Sequence, residues 1–362
     1  MPTCAVLSFR LGMTDGVSIV AEQWMRSFRE LGFEVITVAG EGPVDRLLPD
    51  LAIGRWPDGR PGIEGPQAAS RDEIDALEHA VRVALADIDI AVVENLGTIP
   101  MNLPAARAVA RARRGAPTIW HHHDPAWQRD RYDGVDELPR DDPAWRHVTI
   151  NDLSRAQMQE RGIDAVTIRN GFDERQLQGD RNAERARLGF DPDELVLVHP
   201  VRAIERKGVP AAIALARSLD ATYWLTGDAE EDYHTTLNEL LDTAVGSGVR
   251  VRRDRPSTLG DLYAAADVVA FPSTWEGFGN PPIEAALTLR PAVVGHYPVA
   301  DELRALGFQW FDPFDPEPLQ AWLADPDPAL LLQNRSLARS ALSPAMVTSA
   351  LAHLLDEAGW SA

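Results

Sequence analysis

Short hydrophobic runs alternate with amphipathic stretches along the chain. In the first half, the hydrophobic runs predict strands at residues 3–9, 34–39, 88–94, 117–121, 148–150 and 166–168. Helical spacing lies between them, at residues 17–31, 70–86, 103–113 and 152–161. Strands that alternate with helices are typical of parallel sheets built from βαβ units. The Gly- and Pro-rich segment at residues 54–66 is predicted to be a surface loop.

A polar segment at residues 173–193 separates this series from a second one. The second series predicts strands at residues 195–199, 222–225, 249–252, 268–271 and 292–295, and two helical pieces at 328–359. We therefore predict an α/β protein with two Rossmann-like, doubly wound parallel-sheet domains, at residues 1–180 and 181–340. Residues 341–362 are predicted to form a C-terminal helix that packs back toward the first domain. Because such folds bind ligands beyond the carboxyl ends of their strands, we expect the two domains to face a cleft.

Length and charge fit this plan and exclude some partners. A chain of 362 residues is long for one hydrophobic core, so two domains are expected. Its 55 acidic and 35 basic residues give a net charge of −20. This surplus repels nucleic-acid phosphates and anionic lipid headgroups, so we predict no nucleic-acid binding and no membrane anchoring. Basic side chains placed locally can still bind a diphosphate.

Cysteine content and hydropathy indicate the compartment. Cys4 is the only cysteine, which excludes an internal disulfide and a cysteine-based zinc site. The sequence has no signal-peptide pattern and no apolar window of about 18 residues. We therefore predict a cytoplasmic protein.

The segment with the most chemical information is FPSTWEGFGNPPIEAA, at residues 271–286. It begins as a strand, passes through Gly277 and Gly279, and reaches Pro281, which suits the first turn of a helix. Glycines allow a ligand close to the backbone, and the amides at a helix start favour an anion. We predict a phosphate-binding turn between Glu276 and Glu284, whose carboxylates can accept hydrogen bonds from sugar hydroxyls. The alternative is that both are ordinary surface acids.

A basic segment, PVRAIERKG, follows the first strand of the second half at residues 200–208. Arg202 can bind an oxyanion through two hydrogen bonds, and Lys207 supplies a compact second charge. Together they could neutralise a departing diphosphate without a metal ion. A solvated basic turn is the alternative, and it suits Arg206 better than Arg202 and Lys207.

These two segments together resemble the family 4 retaining glycosyltransferases, which have the GT-B fold. Residues 271–286 match the E-x7-E motif of that family, and Arg202 and Lys207 fall where the family binds the donor diphosphate. The resemblance implies retaining, metal-independent hexosyl transfer from a nucleotide-diphosphate sugar, GDP-mannose or UDP-glucose, to a hydroxyl of a soluble small-molecule acceptor. The nucleotide sugar is a substrate, so no cofactor is expected. The implied donor-binding residues are Gly16, Arg202, Lys207, Glu276, Gly277, Phe278, Gly279, Asn280 and Glu284.

The loop at residues 10–18, RLGMTDGVS, is similar to a glycine-rich loop of that family that reaches the donor phosphate and the acceptor. The resemblance implies that Gly16 contacts the donor and that Asp15 contacts the acceptor. A helix N-cap formed by Asp15 or Thr14 is the alternative, and the two interpretations are compatible.

The run IWHHHD at residues 119–124 has three adjacent histidines. Neighbouring residues of a strand point to opposite faces, and no second cluster of ligands accompanies the run, so we predict no metal site. His123 matches a histidine that the family places near the donor sugar, and the resemblance implies a catalytic role for it beside Arg202, Lys207 and Glu276. His121 and His122 are predicted to be structural.

Two pairs in the preceding strand-to-helix connection, Glu94-Asn95 and Met101-Asn102, are candidate acceptor-binding residues, with loop capping as the alternative. Two other functions remain open at this point: a non-catalytic nucleotide-sugar-binding GT-B protein, and a GT-B sugar-nucleotide epimerase. Gly16 and His123 favour the transferase over the binding protein, because a binder needs only the residues of the second half.

Overall fold

The chain divides into two compact units. The computed structural model describes residues 1–13, 15–53, 69–132, 135, 137, 139–230 and 232–362, so the predicted loop at 54–66 lies outside the described residues. Unit 1 comprises Met1–Gly171 and Pro344–Ala362, and unit 2 comprises Phe172–Ser343. Each unit is an α/β structure with a wholly parallel sheet, which confirms the predicted fold class.

Strands form where the hydrophobic runs predict them, within a few residues. In unit 1 they are β1 Thr3–Arg10, β2 Glu34–Glu41, β3 Arg46–Leu47, β4 Ile90–Glu94, β5 Thr118–His122, β6 Trp145–Thr149 and β7 Ala165–Thr167. In unit 2 they are β8 Val196–His199, β9 Thr222–Leu225, β10 Val251–Arg252, β11 Val268–Phe271 and β12 Ala292–Val294. The strand orders are β3-β2-β1-β4-β5-β6-β7 and β10-β9-β8-β11-β12. Both follow the doubly wound plan, with the first strand of each unit in the interior of its sheet.

Helices fill the intervals between strands. They are α1 Gly16–Glu30, α2 Arg71–Ala84, α3 Leu103–Ala112, α4 Asp152–Glu160, α5 Arg181–Leu188, α6 Val209–Ser218, α7 His234–Gly246, α8 Leu259–Ala265, α9 Asn280–Leu287, α10 Pro298–Ala305, α11 Glu317–Ala324, α12 Pro328–Ala341 and α13 Pro344–Ala358. Within the described residues, no helix is both long enough and apolar enough to cross a bilayer.

Unit 1 has a hydrophobic core on each face of its sheet. On one face, Trp24 and Phe28 of α1 pack with Leu351 and Leu355 of α13. The opposite face is covered by α2 and α3, through residues such as Val81. The helical spacing of these apolar residues is what places one side of each helix against the sheet.

Two strands differ from their predicted positions for physical reasons. β3 was not predicted, because its two residues are too few to show a hydrophobic period. β6 begins at Trp145, three residues before its predicted start, and includes the polar residue His147. His147 is tolerated in the interior because its Nδ1 lies 2.9 Å from Nε2 of His122 on the neighbouring strand β5.

Candidate active site

The turn between β11 and α9 in unit 2 is built around Gly279. This residue caps α9 with a φ of +98°, and Pro281 lies in the first helical turn as predicted. A Cβ on Gly279 would overlap the hydroxyl of Tyr297, and its positive φ is unfavourable for any side chain, so glycine is strongly favoured here. The first amides of α9 follow directly and have no partners within the helix. An anion beyond the carboxyl end of β11 would meet this positive end.

Glu276 lies in the same turn and carries a buried charge. Its side chain is 9% exposed, its Oε1 lies 2.5 Å from Nζ of Lys207, and its Oε2 lies 3.0 Å from Nη1 of Arg206. Burial disfavours the charged form, but Lys207 and Arg206 outweigh it and hold the pKa of Glu276 below its ordinary value. Glu276 is therefore an ionised hydrogen-bond acceptor fixed by two cations.

The loop after β8 supplies both cations. Glu205–Lys207 form one 3-10 turn, which Gly208 ends at a φ of +69°. A Cβ on Gly208 would overlap the carbonyl oxygen of Pro272, so glycine allows this loop to approach the loop after β11. This close approach brings Lys207 to Glu276.

Arg202 and Arg206 make different contacts in unit 2. Arg202 donates to Oε2 of Glu230 at 2.6 Å, and its side chain is 57% exposed. Arg206, for which a solvated turn was the favoured interpretation, contacts Glu276 and also donates to the carbonyl oxygen of Trp275 at 2.5 Å. Sequence reasoning missed the contact of Arg206 because the direction of a side chain in a short 3-10 turn leaves no periodic pattern in the sequence.

Glu284 lies in α9 and pairs with a buried tyrosine. The hydroxyl of Tyr263 donates to Oε2 of Glu284 at 2.5 Å. Burial raises the pKa of Glu284 to about 7, and the hydrogen bond from Tyr263 opposes that rise only in part. The carboxyl group is consequently near half-ionisation at neutral pH.

The remaining predicted donor residues lie in the same turn. Gly277 follows Glu276, and Asn280 is the first residue of α9. Phe278 is buried, and its ring stacks on that of Phe172 with centroids 6.0 Å apart. Phe278 thus anchors the turn to the rest of unit 2.

In unit 1, the loop between β1 and α1 shows the predicted helix cap. Asp15 accepts hydrogen bonds from the amide of Ser18 at 3.2 Å and from its hydroxyl at 2.8 Å, and lies 3.3 Å from Nε of Arg10. Gly16 begins α1, and an added Cβ there would meet no described atom within 4 Å outside its chain and helix neighbours. The fold itself does not require glycine at position 16. Thr14 lies outside the described residues.

The three histidines after Trp120 divide between two faces of β5. His121 Nδ1 and His123 Nε2 both contact Oε2 of Glu94, at 2.9 and 2.7 Å. His122 points the other way, with its Nδ1 3.2 Å from Oγ1 of Thr98. The sequence-based expectation of a structural role suits His122, whereas Glu94 is a partner of the run that sequence reasoning missed.

Glu94, His121 and His123 also bring three potential metal-ligand atoms within 4.8 Å of one another. The carboxylate that the end of β4 supplies to the two histidines was not anticipated from the sequence. The expectation that the site works without a metal ion stays a prediction.

The side chains of Asn95 and Asn102 both form hydrogen bonds with backbone groups of unit 1. Oδ1 of Asn95 accepts from the amides of His123 and Asp124, at 3.1 and 3.0 Å. Asn102 caps α3 by accepting from the amide of Ala105 at 3.0 Å, and its own amide donates to two backbone carbonyls in the 50–52 segment. These bonds match the capping alternative, and the acceptor-binding roles remain predictions.

Comparison with known proteins agrees with this architecture. A family profile described as "Glycosyl transferases group 1" matches residues 203–317, which include Lys207, Glu276 and Glu284. The structure of Anabaena Alr3699/HepE in complex with UDP and glucose superposes with a TM-score of 0.76 at 18% identity, over 98% of this chain and 100% of that one. Sucrose-phosphate synthase from Thermosynechococcus elongatus gives a TM-score of 0.70 at 16% identity, over 100% of both chains.

The profile match, the curated relatives below and the solved structures together support a family 4-like glycosyltransferase with the GT-B fold. Among curated proteins the chain is similar to mannosylglucosylglycerate synthase of Petrotoga mobilis, at 26% identity over 370 residues, or 84% of this chain and 85% of that protein. The enzyme of the same name from Thermotoga maritima is 27% identical over 350 residues, or 82% of this chain and 81% of that protein. D-inositol 3-phosphate glycosyltransferase of Rhodococcus jostii is 32% identical over 130 residues, or 33% of this chain and 29% of that protein.

Proposed function

We propose that the protein is a retaining, metal-independent hexosyltransferase that moves mannose or glucose from GDP-mannose or UDP-glucose to a hydroxyl of a small-molecule acceptor. The observation that carries this proposal is the convergence of Lys207 and Arg206 on Glu276, beside the glycine-capped start of α9. The cations and the helix N-terminus can bind the diphosphate of a nucleotide sugar, and the fixed carboxylate can accept hydrogen bonds from its sugar hydroxyls.

Each component has a proposed role in the transfer. Lys207, Arg202 and the first amides of α9 neutralise the diphosphate as the bond to the anomeric carbon breaks. Glu276 accepts hydrogen bonds from hydroxyls of the transferred sugar, and Glu284 accepts them from the ribose. His123 contacts the same sugar, and Gly16 leaves room for the donor phosphate.

The state of Glu276 favours front-face transfer over double displacement. A carboxylate bound by two cations, with a lowered pKa, is a weak base and a weak nucleophile. We infer that the diphosphate leaves and the acceptor hydroxyl enters on the same face of the sugar. The proton of the acceptor hydroxyl passes to the leaving phosphate oxygen, so no protein base is required.

The relatives suggest the chemistry of the acceptor. The names mannosylglucosylglycerate synthase and D-inositol 3-phosphate glycosyltransferase both indicate small polyols that carry an anionic group. The first resemblance covers 84% of this chain and the second only 33%. We therefore propose a mannosyl donor and a carboxylate-bearing acceptor of the glucosylglycerate type as the first pair to test.

The test is a transfer assay with the full chain. GDP-mannose and UDP-glucose are each incubated with glucosylglycerate, with D-inositol 3-phosphate and without acceptor, in the presence and absence of EDTA. We expect nucleotide release that depends on the acceptor, resists EDTA, and yields a product that keeps the anomeric configuration of the donor by NMR. Conversion of the donor to another sugar nucleotide would indicate an epimerase, and donor binding without turnover would indicate a binding protein. An inverted product or inhibition by EDTA contradicts the proposed mechanism.

Donor affinity is expected to fall as the pH drops through 7. Protonation of Glu284 removes an acceptor for the ribose hydroxyls, so one pH unit below its pKa of about 7 the affinity weakens by up to about tenfold. Calorimetric titration with GDP and UDP between pH 6 and 8 measures this effect. Glu284→Gln should flatten the profile, whereas Glu239→Gln on the exposed surface of α7 should leave it unchanged. A wild-type affinity independent of pH contradicts the role of Glu284.

The same group provides an independent check on stability. The carboxyl ionises near 4.5 in the unfolded chain but only near 7 in the folded one, so the unfolded chain loses its proton first. Glu284 therefore lowers the free energy of unfolding as the pH rises from about 4.5 to 7. Glu284→Gln should remove this loss, and melting temperatures of both proteins across the range would show it.

A further inference from the structure

Glu94 is a buried carboxylate to which the transfer mechanism assigns no role. It is the last residue of β4, and its side chain has no solvent exposure. Oε2 lies between two imidazoles, whereas Oε1 has no hydrogen-bond partner among the described residues. Taking such a charge out of water costs several kcal/mol, and apolar residues of similar size can often replace a whole buried charged group and its partners without loss of stability. If Glu94 served only to fill space in the core, an uncharged residue would do so at lower cost.

The two imidazoles keep Glu94 ionised. Burial opposes the charge, but His121 and His123 outweigh it through their charges and hydrogen bonds and lower the pKa of Glu94 to about 2. An ionised carboxylate has no proton to donate, so both ring nitrogens must donate to it. Nδ1 of His121 and Nε2 of His123 therefore each carry a proton. His123 is left with Nδ1 as its second ring nitrogen.

The fold holds both rings in place around this carboxylate. Glu94 and His121 are register partners on the parallel strands β4 and β5. The ring of His121 stacks on Trp24 with centroids 3.9 Å apart, and the ring of His123 lies 4.3 Å from that of His121. Asn95, next to Glu94, accepts a hydrogen bond from the backbone amide of His123. The side chain and the main chain of His123 are therefore both fixed from the end of β4.

We propose that Glu94 is a positioning residue that holds His123 in one orientation and in the Nε2–H tautomer, leaving Nδ1 to accept a hydrogen bond from a hydroxyl of the transferred sugar. This inference rests on the proposed contact between His123 and that sugar. Glu94 acts through His123 and does not itself touch the substrate.

Glu94→Gln in the full chain tests the proposal. Glutamine keeps the size of the side chain, but its single oxygen can no longer be an anionic acceptor for both rings. We expect kcat to fall by about 10- to 100-fold, the effect of losing one well-formed hydrogen bond in the transition state. The affinity for GDP or UDP, which lack the transferred hexose, should stay at the wild-type value. Thr98→Val, which removes the hydroxyl beside His122 on the opposite face of β5, is the matched control and should retain wild-type kcat.

Side-chain ¹⁵N NMR measures the tautomer of His123 directly, and a change in packing alone would not alter it. Wild-type His123 should show a protonated Nε2, and Glu94→Gln should show a mixture of tautomers. A wild-type His123 with its proton on Nδ1 overturns the proposal even if the variant fails to fold. Wild-type kcat in Glu94→Gln also overturns it, while a loss of transfer in His123→Ala alone would leave the proposed function intact. Wild-type transfer in His123→Ala would instead contradict the role given to His123.

Elemental analysis distinguishes this proposal from metal binding by Glu94, His121 and His123. Three ligand atoms within 4.8 Å could hold a divalent cation in place of the two protons. The proposal expects purified wild-type protein to carry no stoichiometric metal. One zinc ion per chain that is absent from Glu94→Gln would overturn the positioning role in favour of a metal site.

Discussion

Lys207→Met is expected to lower the transfer rate about 10²- to 10³-fold, the range found when a preorganised donor to developing negative charge is removed. Methionine retains the length and apolar stem of lysine and removes only the charge. The loss should appear in kcat more than in donor affinity, because the charge on the diphosphate grows as the glycosidic bond breaks. Steady-state kinetics with the best donor and acceptor pair would measure it.

The same variant should be less stable, for a reason that can be separated from catalysis. Removing one partner of a buried ion pair costs about 3 kcal/mol or more, and Arg206 still compensates Glu276, so we expect the low end of that range. Adding Glu276→Gln removes the buried charge that Lys207 no longer balances and should recover part of the stability while transfer stays lost. Urea unfolding of the single and double variants gives this comparison.

Arg217→Met on the exposed side of α6 is the matched control, and it should change neither transfer nor stability appreciably. Near-normal turnover in Lys207→Met would show that the charge at position 207 does not act on the diphosphate. Recovery of transfer in the double variant would show that Lys207 serves only to balance Glu276.

The elements of the fold were predictable where the hydrophobic period is strong and long. α1 has Val20, Ala21, Trp24, Met25 and Phe28 on one buried side, and its predicted bounds differ from the observed ones by one residue at each end. β3, with two residues, offers no such period. Periodicity therefore locates elements that bury a whole face, and it missed β3, which has no predicted run around it.

The site was predictable in its motifs and less so in its contacts. Alternation along β5 correctly places His121 and His123 on one face and His122 on the other, but their shared partner Glu94 depends on the register of a neighbouring strand. An acid ending the otherwise apolar run of β4 was the available signal. For Arg206 no such signal exists, because the local geometry of the 3-10 turn at Glu205–Lys207 places its side chain against Glu276, and Arg202 lies before that turn.

Gly279→Ala is expected to destabilise unit 2 and to weaken donor binding about 10²-fold. The φ of +98° costs about 1–3 kcal/mol with any side chain, and the new Cβ would also overlap the hydroxyl of Tyr297. Relief of that overlap must shift the start of α9; a misplacement of about 1 Å can cost about 10²-fold in reaction rate, and we expect a loss of similar size in affinity for the diphosphate. Melting temperature and titration with GDP and UDP measure the two effects.

Tyr297→Phe separates the two causes of the destabilisation in Gly279→Ala, the positive φ and the overlap with the hydroxyl of Tyr297. The hydroxyl of Tyr297 is buried and has no hydrogen-bond partner among the described residues, so Tyr297→Phe alone should keep near wild-type stability and binding. In the double variant the overlap disappears while the unfavourable φ remains, so stability should recover only in part. Full recovery would mean that the overlap alone requires glycine at position 279. No recovery would mean that the unfavourable φ at position 279 accounts for the whole loss of stability. Wild-type binding of GDP and UDP by Gly279→Ala would contradict an anion site at this helix.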